Sequence, residues 1–515
     1  MSLAAEGATP APGAINRPMI VVSVMLSMVM TVLDTTIANV ALPHMAGSMS
    51  ASTEQIAWVL TSYIVATAIT TPLSGWLSSR FGRKRVLVVS VIGFVAASAL
   101  CGAAQNLTSI VLFRAMQGAF AAPLQPLAQA IMLDIFTVAE RGGAMALWGV
   151  GVMVAPIVGP VLGGVLTDTM SWRWVFYINL PIGALSLLGI LTFVPEAKSA
   201  RAPFGLAGFL MLGLAIAAAQ LMLDRGQGQG WFGSSEIVLE ATVALVAFWF
   251  FLVHSFTSRR PFLPLAIFKD RNFTLCCVFI VVLAALMMSV AALVPSMLQT
   301  LFGYSVVQAG MAMAPRGVGS LISMLVVGRL IGRIEPRLLM TIGLLVFAFS
   351  FWEMSGFTLD TSQTTVAVNG FVQGLGVGFI FLPITTMAFA TLAPALRNDG
   401  TSVYSLWRNL GGSAGISIML AMITNFTVST RAGLIAPFSS DNANVRAVLP
   451  APYSLTDPAG MAVLSGAIDQ QAAMVAYTSV FHVMFFASLA VMPLLLILRQ
   501  QKVDAHGVRE TIVRD

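Results

Sequence analysis

Apolar runs long enough to cross a bilayer recur along almost the whole chain, and this feature decides the fold class. About twenty consecutive apolar residues cross ~30 Å of hydrocarbon as a helix. Divided at clusters of Pro, Gly and charge, the sequence predicts fourteen spans, near residues 19–43, 55–79, 86–104, 107–132, 143–166, 174–194, 205–223, 235–257, 273–298, 308–332, 337–357, 364–391, 402–427 and 473–498. Only 9% of the 515 residues are charged and 57% are hydrophobic, against about 25% charged in soluble domains. Too few charges remain to cover a water-facing surface. A soluble enzyme, a disordered scaffold and a nucleic-acid binder are therefore excluded, and an all-α membrane protein is expected.

The placement of the charges orients it. With the N-terminus inside, 20 of the 27 Lys and Arg fall on inside segments, among them Arg80, Arg83, Lys84 and Arg85, while Arg173, Arg225, Arg431 and Arg446 fall outside and Arg114, Arg316 and Arg408 lie within spans. That excess predicts two cytoplasmic termini, residues 1–18 and 499–515. Residues 1–17 carry one basic residue before a run too long for a signal-peptide core, so the first span is kept. Cys101, Cys276 and Cys277 all sit in apolar runs and offer no disulfide framework.

A weak repeat divides the chain. Gly75 to Arg85 echoes Gly328 to Arg337, and Gln117-Gly118 echoes Gln373-Gly374, at offsets of 253 (328 minus 75) and 256 (373 minus 117). These offsets span an even number of helices, so the halves face the same way. The expected organisation is a six-helix bundle over 19–194, linkers with two extra helices over 195–272, and a second six-helix bundle over 273–498. An outside loop of some forty residues, about 428–471, interrupts the latter.

Charges inside spans carry the chemistry. Asp34 lies well within the first span, where a carboxylate must face a cavity or a partner. Low dielectric favours its neutral form, the property a proton carrier needs; a carboxylate held in a structural ion pair fits the same position. Arg114 and Gln117 share a helix face with Gln125 and Gln129 beyond them, forming an inward polar stripe. Arg316 and Arg408 are fainter counterparts in the second half, and Arg408-Asn409 before Gly411-Gly412 also suits helix packing. Glu240 and Glu353 fall near the outer rim. Gly151, Ala155, Gly159 and Gly163 recur every four residues, baring one helix face to a close neighbour, and Pro156 and Pro160 permit a bend. The run Trp172 to Pro181 reads as an interfacial aromatic belt. His44, His254, His482 and His506 lack metal-ligand spacing, and no phosphate-cradling loop is present, so energy must come from an ion gradient; no cofactor or metal is expected.

These residues resemble the major facilitator superfamily, and within it the fourteen-span drug:proton antiporters of the EmrB/QacA type, over nearly the whole chain. Leu33-Asp34-Thr35-Thr36-Ile37-Ala38-Asn39-Val40-Ala41-Leu42-Pro43 is similar to that family's first-helix signature. Gly75, Arg80, Gly82 and Arg83 match the superfamily loop signature linked to conformational change, Arg114 with Gln117-Gly118 the signature linked to proton coupling, and Gly159, Pro160, Gly163 and Gly164 the antiporter signature. The loop departs from the pattern at Ser79, where an acidic residue is usual; Asp134, Glu140 and Glu335 are the acids available to replace it. Gly205 likewise stands where relatives carry an aspartate.

The resemblance implies a proton-driven exporter of amphipathic drugs in the bacterial inner membrane. Asp34 exchanges protons, Arg114 tunes the exchange, and a cavity between the halves takes cargo on Asn39, Gln117, Gln125, Gln129, Asn369, Gln373, Tyr404, Trp407 and Arg408 beside aromatic and Met side chains. A periplasmic adaptor of the membrane-fusion class (EmrA type) and an outer-membrane channel (TolC type) would complete a tripartite pump, with the 428–471 loop one possible docking surface. An exporter dedicated to one metabolite, or a proton symporter, is the competing reading. A multispan enzyme would need an interfacial polar cluster that the sequence lacks, and the paired halves with a buried acid and base disfavour a channel.

Overall fold

The computed structural model describes the chain apart from residues 1–15, 138–139, 197–203, 259–260, 332, 394–395, 437, 439–451, 456, 499–500, 504–508 and 512–515. Its first half runs through α1 (Arg17–Met49), α2 (Thr53–Thr70), α3 (Leu73–Phe81), α4 (Arg83–Ala103), α5 (Leu107–Ala121), α6 (Leu124–Ile135), α7 (Arg141–Thr169), α8 (Trp174–Tyr177) and α9 (Asn179–Phe193). Then come α10 (Leu206–Arg225) and α11 (Ser235–Thr257), followed by α12 (Arg271–Thr300), α13 (Val306–Leu330), α14 (Pro336–Met354), α15 (Gln363–Ala390), α16 (Arg397–Ile435) and α17 (Pro458–Ala490). Gln501–Val503 and Arg509–Thr511 pair as two short antiparallel strands in the tail.

Helix starts follow local chemistry. Ser52 with Gln55, Asn106 with Ser109, and Ser305 with Gln308 form reciprocal caps that begin α2, α5 and α13. Pro72 cannot donate to a helical ladder, and there the second span bends by 54° between α2 and α3. By length and hydropathy twelve helices among the described residues can cross a membrane, thirteen counting this bent pair. α7, an unbroken helix of 29 residues despite Pro156 and Pro160, is long enough to make the expected fourteen compatible with the fold.

The repeat has a structural counterpart. Gly118 of α5 lets that helix approach the Tyr63 carbonyl of α2, and Gly374 of α15 lets it approach the Arg316 carbonyl of α13. Thr67 Oγ1 donates to the Gly118 carbonyl at 3.0 Å, and Ser323 Oγ to the Gly374 carbonyl at 3.3 Å. A side chain at either glycine would drive the backbones apart, so both bundles depend on the same close crossing.

The two intervening helices differ from the rest. α11 leaves Leu245, Trp249 and Phe256 at 65–76% exposure, an apolar face of the kind a bilayer covers. α10 reaches both halves: Gly213 faces Ile69 of α2, Gln220 donates to Ser413 Oγ of α16 at 2.9 Å, and the Leu223 carbonyl accepts from Ser417 at 2.6 Å.

The loop expected near 428–471 is shorter than the sequence predicts. α16 continues to Ile435 and α17 begins at Pro458, with Arg431 paired to Asp469 across their ends. A 39-residue helix is about 58 Å long, so its end projects past the ~30 Å hydrocarbon core and carries polar residues there without ceasing to be helical. What remains of the loop, including 439–451, lies outside the described residues.

Candidate functional site

Two sites organise the interior. The first is a wholly buried ion pair at the heart of the N-terminal half. Asp34 lies 17 residues into α1, about 25 Å from its start, and has no solvent exposure. Arg114 of α5, equally sealed, donates through Nη1 to Asp34 Oδ2 at 2.6 Å, while Gln117 Nε2 and Asn179 Nδ2 donate to Oδ1 at 3.0 and 2.7 Å. Of the two environments open to Asp34, the structure gives the partner and not the cavity.

Each donor is held in turn. Arg114 Nε donates to the Val59 carbonyl at 3.1 Å and Nη1 also to Gln117 Oε1 at 2.8 Å. Its guanidinium lies 4.6 Å from the Tyr63 ring centre and 5.4 Å from that of Phe176, where cation–π attraction adds about 0.5–2 kcal/mol. Asn179 Nδ2 also reaches Ser98 Oγ at 3.0 Å, and that hydroxyl donates to the Phe176 carbonyl at 2.8 Å. Sequence reasoning missed Asn179 and Ser98: Asn179 sits in the aromatic run assigned to the membrane surface. Within that run Trp172 is buried, Trp174 is exposed, and Arg173 closes the end of α4 by donating to the carbonyls of Gly102 and Ala104 at 2.9 and 2.5 Å.

The antiporter-type glycines face this pair's helix. A Cβ at Gly159 would collide with Thr36 Oγ1, and one at Gly163 would meet Ile37 at 3.1 Å. Thus α7 lies directly on α1 beside Asp34, as the bare face predicted. Gly164 meets nothing within 4 Å.

The second site closes the basic end of the bundle between the halves. Ser74 and Ser402 hydroxyls lie 2.8 Å apart, and a Cβ at Gly75 would meet Asp399 Oδ1 at 2.5 Å. Arg83 Nε donates to Asn398 Oδ1 at 2.6 Å and also pairs with Asp134, which accepts from Arg397 Nη1 at 3.2 Å. Asp134 therefore joins a basic residue from each half. Of the acids available to offset Ser79, it is Asp134 that meets the loop; Glu140 pairs with Arg17 and Glu335 with Arg337. Ser79 itself accepts from Asn398 Nδ2 at 3.3 Å. Gly82 has φ +88°, a left-handed conformation that frees the chain to reverse into α4, and Arg80 is exposed.

The sequence profile of the Major Facilitator Superfamily matches residues 24–416. The chain belongs to that superfamily. It is a multi-pass membrane transporter, not an enzyme. It is 37% identical over 455 residues to the multidrug export protein EmrB of Escherichia coli strain K12, covering 87% of this chain and 88% of that one. It is 36% identical over 467 residues to the fatty acid resistance protein FarB of Neisseria gonorrhoeae, covering 90% and 92%. Among solved superfamily structures, the proton:xylose symporter XylE superposes with a TM-score of 0.60 at 14% identity over 93% of this chain and 98% of that one. The human organic anion transporter MFSD10 gives 0.59 at 15% over 92% and 99%. At such identities the structures attest the superfamily fold alone.

The remaining residues expected around a superfamily cargo cavity divide. Gln117 is committed to the ion pair. Asn369 is buried and bonded to Ser350 and Glu353, and Gln373 Nε2 lies 3.8 Å from Met354 Sδ, so both tie α15 to α14 inside the C-terminal half. Glu240 pairs with Arg225 at 3.4 Å. Between the halves, Arg408 of α16 donates to Gln125 of α6, with buried Gln129 one turn along. Tyr404 is buried against Phe389 and Thr385, while Trp407 and Asn39 are exposed.

Proposed function

We propose that the protein is a proton-coupled drug exporter of the bacterial inner membrane, using no cofactor beyond the proton gradient. The similarity to EmrB over most of both chains supports drug export. The observation that carries the coupling is the sealed Asp34–Arg114 pair on helices that line one half. A proton reaching Asp34 removes the charge Arg114 binds, leaving the guanidinium on Val59, Gln117 and two aromatic faces. Since an unpaired charge at bilayer depth costs about 2.5–3.5 kcal/mol on insertion scales, protonation of Asp34 and its pairing with Arg114 exclude one another, and the protonated state is driven to rearrange.

Asp34 in this reading stands in its charged, paired state with the basic end closed. Protonation loosens α1 from α5, and α1 transmits the change to α7 along the glycine seam. One charge crossing ~100 mV supplies about 2.3 kcal/mol, enough for modest uphill export. The basic end is cytoplasmic, α7 supplies the fourteenth span, and a periplasmic adaptor with an outer-membrane channel completes the route.

The test is dye efflux in everted vesicles from a strain lacking the chromosomal copy, together with its drug-susceptibility profile. Protonophore-sensitive efflux and restored resistance are expected on complementation. Efflux indifferent to the protonophore would refute the coupling.

A further inference from the structure

Arg114 is neutralised by Asp34, but among the described residues the second half has no such arrangement. Its two interior guanidiniums, Arg316 and Arg408, form no ion pair among the described residues; Arg316 donates only to the Met287 carbonyl at 3.3 Å. The described acids of the C-terminal spans stand elsewhere. Asp399 is beside Gly75 at the basic end, Glu353 is bonded to Asn369, and Asp469 is paired to Arg431 at the opposite end.

Arg408 also lies between the two halves. It lies 11 residues into α16, and Gln125 lies 10 residues before the end of α6, placing both about 15–17 Å from the basic end and so near mid-bilayer. Their hydrogen bond joins the two halves. One turn along α6, on the same face, Gln129 is 1% exposed and its Nε2 has no acceptor among the described residues. A guanidinium paired only with a neutral amide, one turn from an unmet buried donor, lacks an anion. A carboxylate accepts two parallel bonds from guanidinium and binds more strongly than an amide oxygen can.

We propose that Arg408, Gln125 and Gln129 form a subsite for the anionic group of an amphipathic cargo, so that organic acids are bound here in preference to organic cations. The cargo anion replaces Gln125 Oε1 as the partner of Arg408 and thereby opens a contact between the halves, while Tyr404, one turn before Arg408 on α16, offers a ring to the apolar portion. This inference rests on the export reading but concerns binding alone.

The experiment is equilibrium dialysis of the full chain in nanodiscs, with empty nanodiscs subtracted and no gradient, using three probes that share one ring system: 2-naphthoate, 2-naphthylmethanol and 2-naphthylmethylammonium. At neutral pH the naphthoate should bind at least about tenfold more tightly than either congener, as expected for a charged hydrogen bond. Arg408→Gln should erase that preference, Arg408→Lys should restore part of it, and Gln129→Leu should weaken the acid more than the alcohol. If Arg408→Gln does not fold, the comparison of the three probes on the unaltered chain and on Gln129→Leu decides. Equal binding of the three probes, or naphthoate binding unmoved in a folded Arg408→Gln or Gln129→Leu protein, overturns the proposal. Proton-driven efflux with equal binding would sink the subsite alone, whereas acid-selective binding without proton-driven efflux would sink the coupling alone.

Discussion

Arg114 Nη1 and Asp34 Oδ2 are 2.6 Å apart with no solvent exposure on either residue, and every described contact of the carboxylate is with a donor. Removing one member of a buried pair costs about 3–5 kcal/mol because the other is left charged and alone. Arg114→Leu should therefore lower the melting temperature in detergent far more than the double variant Asp34→Asn with Arg114→Leu. Equal destabilisation would mean that the two charges are not coupled.

Asn179 tests whether the second layer of the site matters. Its side chain ties α9 to Asp34 and to Ser98 on α4. Asn179→Leu withdraws one donor from the carboxylate, a loss of about 1–3 kcal/mol, and should reduce dye efflux roughly tenfold with expression unchanged. Ser98→Ala, which leaves the Asn179–Asp34 bond in place, should have a smaller effect; the reverse order would count against this assignment.

Asp134 links Arg83 of one half to Arg397 of the other, and 38% of its side chain is exposed. Partly exposed pairs contribute about 1 kcal/mol or less, which is still several-fold in a two-state population. Asp134→Asn should shift the protein toward a state open at the basic end. Cysteines placed on α3 and the first turn of α16 should then cross-link less, and the unaltered protein should show the same trend at high salt. Undiminished cross-linking would remove Asp134 from the closure.

Gly75 makes a steric counterpart to that charge. A Cβ there meets Asp399 Oδ1 at 2.5 Å and Cα at 3.0 Å, and backbone does not yield cheaply. Gly75→Val should hold the basic end open and cut transport at least about tenfold, more than Gly75→Ala; equal effects would point to a different closure surface.

Much of this is legible in the sequence alone. Asp34 and Arg114 stand out because charge in an apolar run has no bland place to go, and the four-residue glycine spacing of α7 implied the close neighbour that α1 proves to be. Asn179 escaped because an uncharged amide beside aromatics looks the same at a membrane surface as in a core. Gln117 was placed in the cargo cavity because helical spacing gives a face but not which side chain on that face a partner captures. The end of α16 and the start of α17 read as loop in the sequence since hydropathy registers only the stretch that lies in lipid. That Asp134, and not Glu140 or Glu335, meets the loop around Ser79 depends on how α3, α6 and α16 converge, which no local pattern encodes.

The central claim is that Asp34 carries the coupling proton, and proton movement itself tests it most directly. Proteoliposomes loaded with pyranine should show a substrate-dependent pH change with the unaltered protein and none with Asp34→Asn, whose amide keeps the size of the carboxyl group. An undiminished pyranine response from folded Asp34→Asn protein would contradict the account.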